Sequence, residues 1–286
     1  VIAALRPDGI AILNHEDKLV RKMRKRTEAR VVYYGREQGV TVRARHVGGN
    51  PLTGLNFTLV SGGERNRVRL NIPGEHAVTT ALAAAAVALS CGMNLQTVAA
   101  GLNEIRPAKR RGELKHGVNG STLVDDSYNA NRQSALAAVA LLRQATLAED
   151  ARRWFILGDM LELGKYAREE HAAVGEAVAE GIDELVLVGS EVAATAEAAL
   201  RAGMPATRIH LFAVPLSDRA ALERARQQAA AYVRAGIAAG DLALVKGSLG
   251  VGMDAVVAEL LEHGRAGRSR ADISARLRML GQQSIG

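Results

Sequence analysis

The 286-residue chain contains one cysteine, six prolines and 3% aromatic residues. A lone cysteine excludes an internal disulfide framework. Cys91, in an apolar helical context, reads as a small core residue of a protein from a reducing compartment. No cysteine and histidine stand at zinc-ligand spacing, so no metal ligand is assigned. No apolar run is long and uncharged enough to cross a bilayer; the alanine-rich run after His76 is weakly hydrophobic and breaks at Cys91-Gly92. No signal peptide is legible. With so few rings to fill a core, the abundant alanine predicts helices packed closely through small side chains.

What is present is a globular composition, 48% apolar and 23% charged. The length allows one large or two ordinary domains with ample buried core. A net charge of +7 and a pI near 9.8 raise nucleic acid as a partner. The strongest basic run, RKMRKRTEAR at residues 21–30, argues against it. It has no interleaved aromatics, and Leu19, Val20 and Met23 predict a helix with one buried stripe and a solvated basic face. Lys109-Arg110-Arg111 suits a phosphorylated small ligand better. The tail from Gly264 (Arg265, Arg268, Arg270, Arg276, Arg278) is assigned no chemistry. Val1 is not a start methionine, and IAALRP reads as a helix end entering a strand, so a fragment of a longer protein is expected.

Two patterns follow one another along the chain. Up to Arg106, strands at 10–14, 29–34, 41–47, 55–60 and 68–72 are punctuated by Gly48-Gly49-Asn50-Pro51 and Ser61-Gly62-Gly63-Glu64. Helices follow at 76–91 and 95–104, a mixed α/β pattern with an antiparallel section. Beyond Pro107 a hairpin with the turn Asn119-Gly120 opens a regular alternation. Strands at 154–157, 185–188, 209–212 and 242–245 are each followed by an amphipathic helix, which predicts a mostly parallel, doubly wound sheet. The expected parts are residues 1–106, residues 107–264 and a basic tail, 265–286.

Chemistry concentrates at strand ends. Residues 121–134 read STLVDDSYNANRQS: a short apolar strand, two acids, a polar turn, then an apolar helix that Asn131 or Ser134 can cap. One aspartate at a strand end is ordinary turn chemistry. Two acids, a tyrosine and two asparagines in seven positions favour a ligand site at the carboxyl edge of the sheet. GDMLELG follows the strand at 154–157, and Lys246-Gly247-Ser248 follows the strand at 242–245, on the same edge. Lysine, hydroxyl and free amides before a helix can hold a carboxylate or phosphate. His76 opens a helix after Pro73-Gly74-Glu75, and His171 lies in a helix among acids. A lone helical histidine is usually structural, so spacing alone assigns neither.

Four segments carry a family resemblance. VDDSYNANRQS resembles the DDxYNANPxS signature of the Mur ligase family, in the branch that adds D-alanyl-D-alanine to UDP-N-acetylmuramoyl-tripeptide. GDMLELG, with His171 and Val174-Gly175 downstream, is similar to that branch's GDMxELG followed by His and VG. VKGSLGVGMD at 245–254 looks like its KGSRxxxME, and AILNHED at 11–17 like its central-domain LNxDD. Order and spacing match from about Val1 to about Gly264.

The resemblance implies the remainder of a mixed-sheet, ATP-binding central domain followed by a Rossmann-like, doubly wound C-terminal domain. It implies an ATP-dependent amide ligase of peptidoglycan precursor synthesis. The tripeptide carboxylate becomes an acyl phosphate, and the amine of D-alanyl-D-alanine attacks it. In that scheme Arg111 and Lys246 are catalytic, and His76, Asp126, Tyr128, Asn129 and Asn131 lie on the nucleotide side. Asp159, Glu162, His171 and Ser248 face the acceptor. ATP and Mg2+ are the implied cofactors, with most ligands outside this chain. The partners are the UDP-linked tripeptide and D-alanyl-D-alanine, with no nucleic acid or membrane insertion, in a cytoplasmic monomer.

Departures from the family pattern bear on activity. The family's GxHNxxN keeps His76, but its two asparagines are Ala77 and Thr80 here. The signature proline is Arg132, and the arginine of KGSR is Leu249. No GxxGK[ST] phosphate loop occurs anywhere, so the isolated chain is expected to be inactive toward ATP. Two alternatives stay open. One is another Mur-type ligase such as folylpolyglutamate synthase, disfavoured by GDMLELG and the absence of a DNPR-like motif. The other is a non-catalytic relative, motivated by Ala77, Thr80 and Leu249.

Overall fold

The computed structural model describes residues 2–262, so the arginine-rich tail lies outside the described residues. The chain divides into two compact units, residues 1–106 and 107–286.

The first unit holds β1 (Ile10–Asn14), α1 (Lys18–Lys22), β2 (Arg30–Gly35), β3 (Val42–Asn50), β4 (Gly54–Ser61), β5 (Glu64–Leu70), α2 (His76–Ser90) and α3 (Leu95–Glu104). Its five strands lie in sequence order, parallel from β1 to β3 and antiparallel from β3 to β5. Alternation sends Val42, Ala44, Phe57 and Leu59 to one face, where α2 and α3 bury them with Val78, Leu82 and Val98. The turn between β3 and β4 falls later than the glycines suggest: Gly48, Gly49 and Asn50 extend β3 past a bulge. Asn50 Oδ1 then accepts the Leu52 amide at 2.9 Å, starting an Asx turn.

Two expectations fail in this unit. Cys91 is exposed rather than in the core. It is the cap residue beyond α2, whose buried positions Val78, Leu82 and Ala85 define a stripe that residue 91 does not continue. No residue of the basic helix is buried, because α1 is little more than one turn and passes into a 3-10 turn at Met23–Arg26. A change of helical period ends any stripe, and Leu19 stays 72% exposed.

The second unit contains β6 (Glu113–His116), β7 (Thr122–Asp126), α4 (Arg132–Gln144), β8 (Arg153–Gly158), α5 (Ala167–Val178), β9 (Glu184–Val188), α6 (Ala193–Arg201), β10 (Ile209–Phe212), α7 (Arg219–Gly236), β11 (Leu242–Lys246) and α8 (Asp254–Leu260). Strand order is β10-β9-β8-β11-β7-β6, parallel except for β6, the hairpin partner of β7. Successive residues of β11, and of β8 and β9 beyond their first positions, are buried, as a sheet covered on both faces requires. One face packs Trp154, Val186 and Val245 against α7 and α8. Asp241 ties the amino ends together: it accepts from Trp154 Nε1 at 2.9 Å, the Arg152 amide at 2.8 Å and the Ala238 amide at 3.0 Å. β11, last in the chain, lies between β7 and β8. The sheet therefore has a topological switch point there, where carboxyl ends of strands open a ligand crevice.

Close helix packing through small residues is seen where α5 meets α6. A Cβ on Gly175 would stand 2.3 Å from the Thr195 carbonyl oxygen and 2.7 Å from Ala198 Cβ. Gly175→Ala is expected to lower stability by about 1–3 kcal/mol, as overpacking of a rigid helix contact does. Urea unfolding followed by circular dichroism checks this; an unchanged midpoint would show that the helices can move apart freely.

Candidate functional site

The register of the parallel β7–β11 pair places Lys246 beside Asp126 and Val245 beside Asp125. Lys246 is 2% exposed in its side chain, and its ammonium reaches Asp126 Oδ2 at 2.5 Å. It also donates to the Asn129 carbonyl at 3.0 Å. A buried ammonium must be paired and hydrogen-bonded, and two of its three hydrogens are used this way. Asp126 is more open, at 25%. One strand end thereby holds the turn of the next: Lys246 fastens DDSYNAN from the β11 side.

Ser248 adds a second fastening. Its hydroxyl donates to the Ala130 carbonyl at 3.3 Å and accepts the Leu161 amide at 2.9 Å, linking the turns after β7, β8 and β11. Asn131 caps α4 in a capping box with Ser134, each side chain accepting the other's amide at 2.9 and 3.1 Å. The Asn129 side chain accepts the Ala130 amide at 2.8 Å and remains exposed.

Arg110, read in the sequence only as one of the basic cluster, braces this turn within the second unit. Its guanidinium donates to Ser127 Oγ at 3.2 Å and the Ser127 carbonyl at 2.9 Å, and pairs with Asp254 at 3.0 Å. Its carbonyl accepts the Tyr128 amide at 3.1 Å. Its φ of 62° is a left-handed conformation that a non-glycine residue adopts only when its surroundings fix it. The basic cluster at 109–111 was the only available signal. With Arg110 held, the exposed Arg111 guanidinium lies 4.1 Å from the Tyr128 ring centroid, a cation–π contact. Behind the turn, Asp125 is buried and accepts from Lys115 Nζ and Ser127 Oγ, both at 2.6 Å. Burial alone would lower the Lys115 pKa, but the hydrogen bond and charge of Asp125 outweigh it and hold the ammonium above its ordinary value.

Asp159 and His171 do not face the crevice. Both have 0% exposure. Asp159 accepts the Ser190 and Val192 amides at 3.0 and 2.8 Å, holding the turn after β9. Gly189 (φ 133°) makes room for it, since a Cβ there would stand 2.4 Å from the carboxylate. Burial pushes the Asp159 carboxyl up from the usual range, against the pull of those two amides. His171 Nε2 accepts the Met160 amide at 3.0 Å, and Nδ1 is 2.8 Å from the Ala167 carbonyl. Those partners assign the neutral tautomer protonated on Nδ1. Acid and histidine therefore shape GDMLELG from behind. Glu162 alone of the three is exposed, at φ 64°. His76 is exposed at the start of α2 in the first unit, and Ala77 belongs to that unit's core. Among the described residues no group of three histidine, cysteine or acidic side chains could hold a metal ion.

Because Lys246 is more deeply buried than Asp126, removing each partner should have unequal effects. Asp126→Ala leaves an uncompensated buried ammonium and is expected to cost about 3–5 kcal/mol, whereas Lys246→Met should stay within ~1 kcal/mol of the parent. Urea unfolding of both variants measures the difference. Equal losses would mean that the ammonium escapes to water when unpaired.

Comparison with known proteins gives two family matches, the Mur ligase middle domain over residues 1–88 and the "Mur ligase, glutamate ligase domain" over residues 110–249. The chain is 37% identical over 273 residues to the UDP-N-acetylmuramoyl-tripeptide–D-alanyl-D-alanine ligase of Mycobacterium tuberculosis H37Rv. That alignment takes in 92% of this chain and 52% of that protein. The Escherichia coli K12 ligase of the same name is 38% identical over 139 residues, 48% of this chain and 30% of that one. Among solved structures, MurF from Acinetobacter baumannii superposes with a TM-score of 0.74 at 28% identity, covering 90% of this chain and 52% of that chain. MurF from Thermotoga maritima, solved in complex with ADP, shares the fold at a TM-score of 0.69 and 17% identity. The chain spans about half the length of the curated relatives it matches.

Proposed function

The chain belongs to the Mur ligase family, and from that premise we propose that it is the part of an ATP-dependent amide ligase that joins D-alanyl-D-alanine to UDP-N-acetylmuramoyl-tripeptide. The observation that carries the reading is the Lys246–Asp126 pair, which brings the DDSYNAN and KGS turns together at the switch point of the sheet. The name of the relatives that align over nine-tenths of the chain supports the choice of acceptor.

ATP fits this edge in part. Arg111 on Tyr128 presents an exposed cation toward phosphate, and Asn129 offers an exposed amide beside it. No GxxGK[ST] loop occurs in the chain, so the residues that would grip a triphosphate are not here. Mg2+ fits no cluster of histidine, cysteine or acidic side chains among the described residues. When bound, ATP supplies the phosphoryl group that converts an unreactive carboxylate into an electrophile.

The chain's own residues have narrower tasks. Lys246, with one ammonium hydrogen uncommitted in a water-poor setting, offsets negative charge that builds as an amine adds to a carbonyl. Ser248, the buried Asp159 and His171 hold the turns so that this ammonium does not move. Arg110 orients Arg111. The same reading carries a cytoplasmic, monomeric enzyme.

Residues 1–286 alone are expected to release no phosphate from ATP in the presence of tripeptide substrate and D-alanyl-D-alanine. Joined in frame to the upstream half of the Mycobacterium tuberculosis relative, they should release it, and only with D-alanyl-D-alanine as acceptor. Lys246→Met in that fusion should lower kcat by roughly 100-fold or more, the scale of losing one transition-state donor. Turnover by the isolated chain, or equal turnover with D-glutamate, would defeat the reading.

A further inference from the structure

The positive charge of the chain sits in one unit. Residues 1–106 hold 15 lysines and arginines against 8 acids, while residues 107–286 hold 22 of each. Within the first unit the excess has a face. The apolar alternation that turns Val42, Phe57 and Leu59 toward α2 and α3 turns Arg43 and Arg45 of β3, and Arg65, Arg67 and Arg69 of β5, to the other side of the sheet. Register aligns them in rows, Arg45–Thr58–Arg67 and Arg43–Val60–Arg65, with Arg69 beside Asn56.

Arg45, Arg65, Arg67 and Arg69 are exposed. Among the described residues, the arginine ion pairs of this unit are Arg6 with Asp8 and Arg36 with Glu75 instead. Arg43 is half-buried and donates to the Arg36 carbonyl at 2.9 Å. The basic segment after β1 lies over the same face. Tyr33, which shares its side of the sheet with Gly35 and hence with Arg43 opposite, donates its hydroxyl to the Arg21 carbonyl at 3.3 Å. Lys18, Arg21, Lys22, Arg24, Lys25 and Arg26 stand there without an intervening acid. The nearest carboxylate on the chain, Asp17, is engaged by the Leu19 and Val20 amides. In the midst of these cations Leu19 is 72% and Met23 38% exposed.

We propose that this face of the first unit docks on an anionic lipid bilayer. A pleated surface spaces these arginines about 10 Å across the intervening β4 and about 7 Å along each strand, so it meets many headgroups at once rather than one ligand. Two apolar side chains set among cations are the composition of a segment that lies in a headgroup layer without crossing it. The expected charged partner is not single-stranded nucleic acid: among the described residues no exposed phenylalanine, tyrosine or tryptophan stands among the arginines to stack on bases, Tyr33 is half-buried, and Phe57 is buried on the opposite side. The proposal is independent of the ligase reading, since it uses no residue of the second unit.

The full chain is sedimented with phosphatidylcholine vesicles and with vesicles carrying roughly one-third phosphatidylglycerol, at about 50 and about 300 mM salt. Binding to the anionic vesicles alone, lost at the higher salt, is expected. Replacing Arg65, Arg67 and Arg69 together by glutamine should weaken it roughly 100-fold, and Leu19→Ser should weaken it by several-fold at unchanged charge. Urea unfolding confirms that the variants are folded. Three outcomes overturn the proposal: equal binding to neutral vesicles, binding unchanged by the sheet substitutions (as if the arginines of residues 265–278 carried it), or a single-stranded oligonucleotide binding more tightly and displacing the vesicles.

Discussion

An ammonium that is nearly inaccessible to water has to be held by something, and in the second unit the burial of Lys246 sets the terms for everything around it. Its charge is tolerable only because Asp126 and the Asn129 carbonyl meet it. That need fixes the register of β11 against β7, because a shift of one residue would turn Lys246 to the other face of the sheet and away from Asp126. It also fixes the path of the DDSYNAN turn. The strand that closes the sheet last is therefore the one that locks the turn after the first parallel strand.

Around this pair the polar groups sort by depth. Asp125, Asp159 and His171 are buried with their donors and acceptors occupied by backbone and neighbouring side chains. They set positions. Arg111, Tyr128 and Asn129 remain at the surface of the same edge, and these can meet a ligand. A site that stabilises a transition-state charge needs both kinds, since such a charge is stabilised by groups that do not have to reorganise. The resemblance treated Asp159 and His171 as acceptor contacts. Buried as they are, their effect on any ligand passes through the backbone of GDMLELG and the turn at Ser190.

The two units differ in how they use charge. In the second, equal numbers of acids and bases allow cations to be paired across turns, as Arg110 is with Asp254. In the first, acids are too few to pair the arginines of β3 and β5, and sheet alternation gathers those arginines on one side. The seven-charge excess thus belongs to the first unit. An even distribution over a globular protein would have no such consequence.

Much of the architecture was legible from the amino acids. Short apolar strands alternating with helices after Pro107 can bury their surfaces only as a parallel sheet covered on both faces. DDSYNAN and GDMLELG marked the strand ends where ligand groups gather, and Asn131 announced the start of α4. Local patterns of this kind depend on neighbours a few residues away, and sequence displays those. Tertiary structure decided what depends on distant neighbours. It exposed Cys91 and Leu19, because a helix end and a change of helical period moved them off the buried stripe. It brought Lys246 to Asp126 across 120 residues and Arg110 to Asp254 across the whole unit. It also separated buried Asp159 and His171 from exposed Glu162 within one motif, since burial is set by what packs over a residue and no local spacing records it.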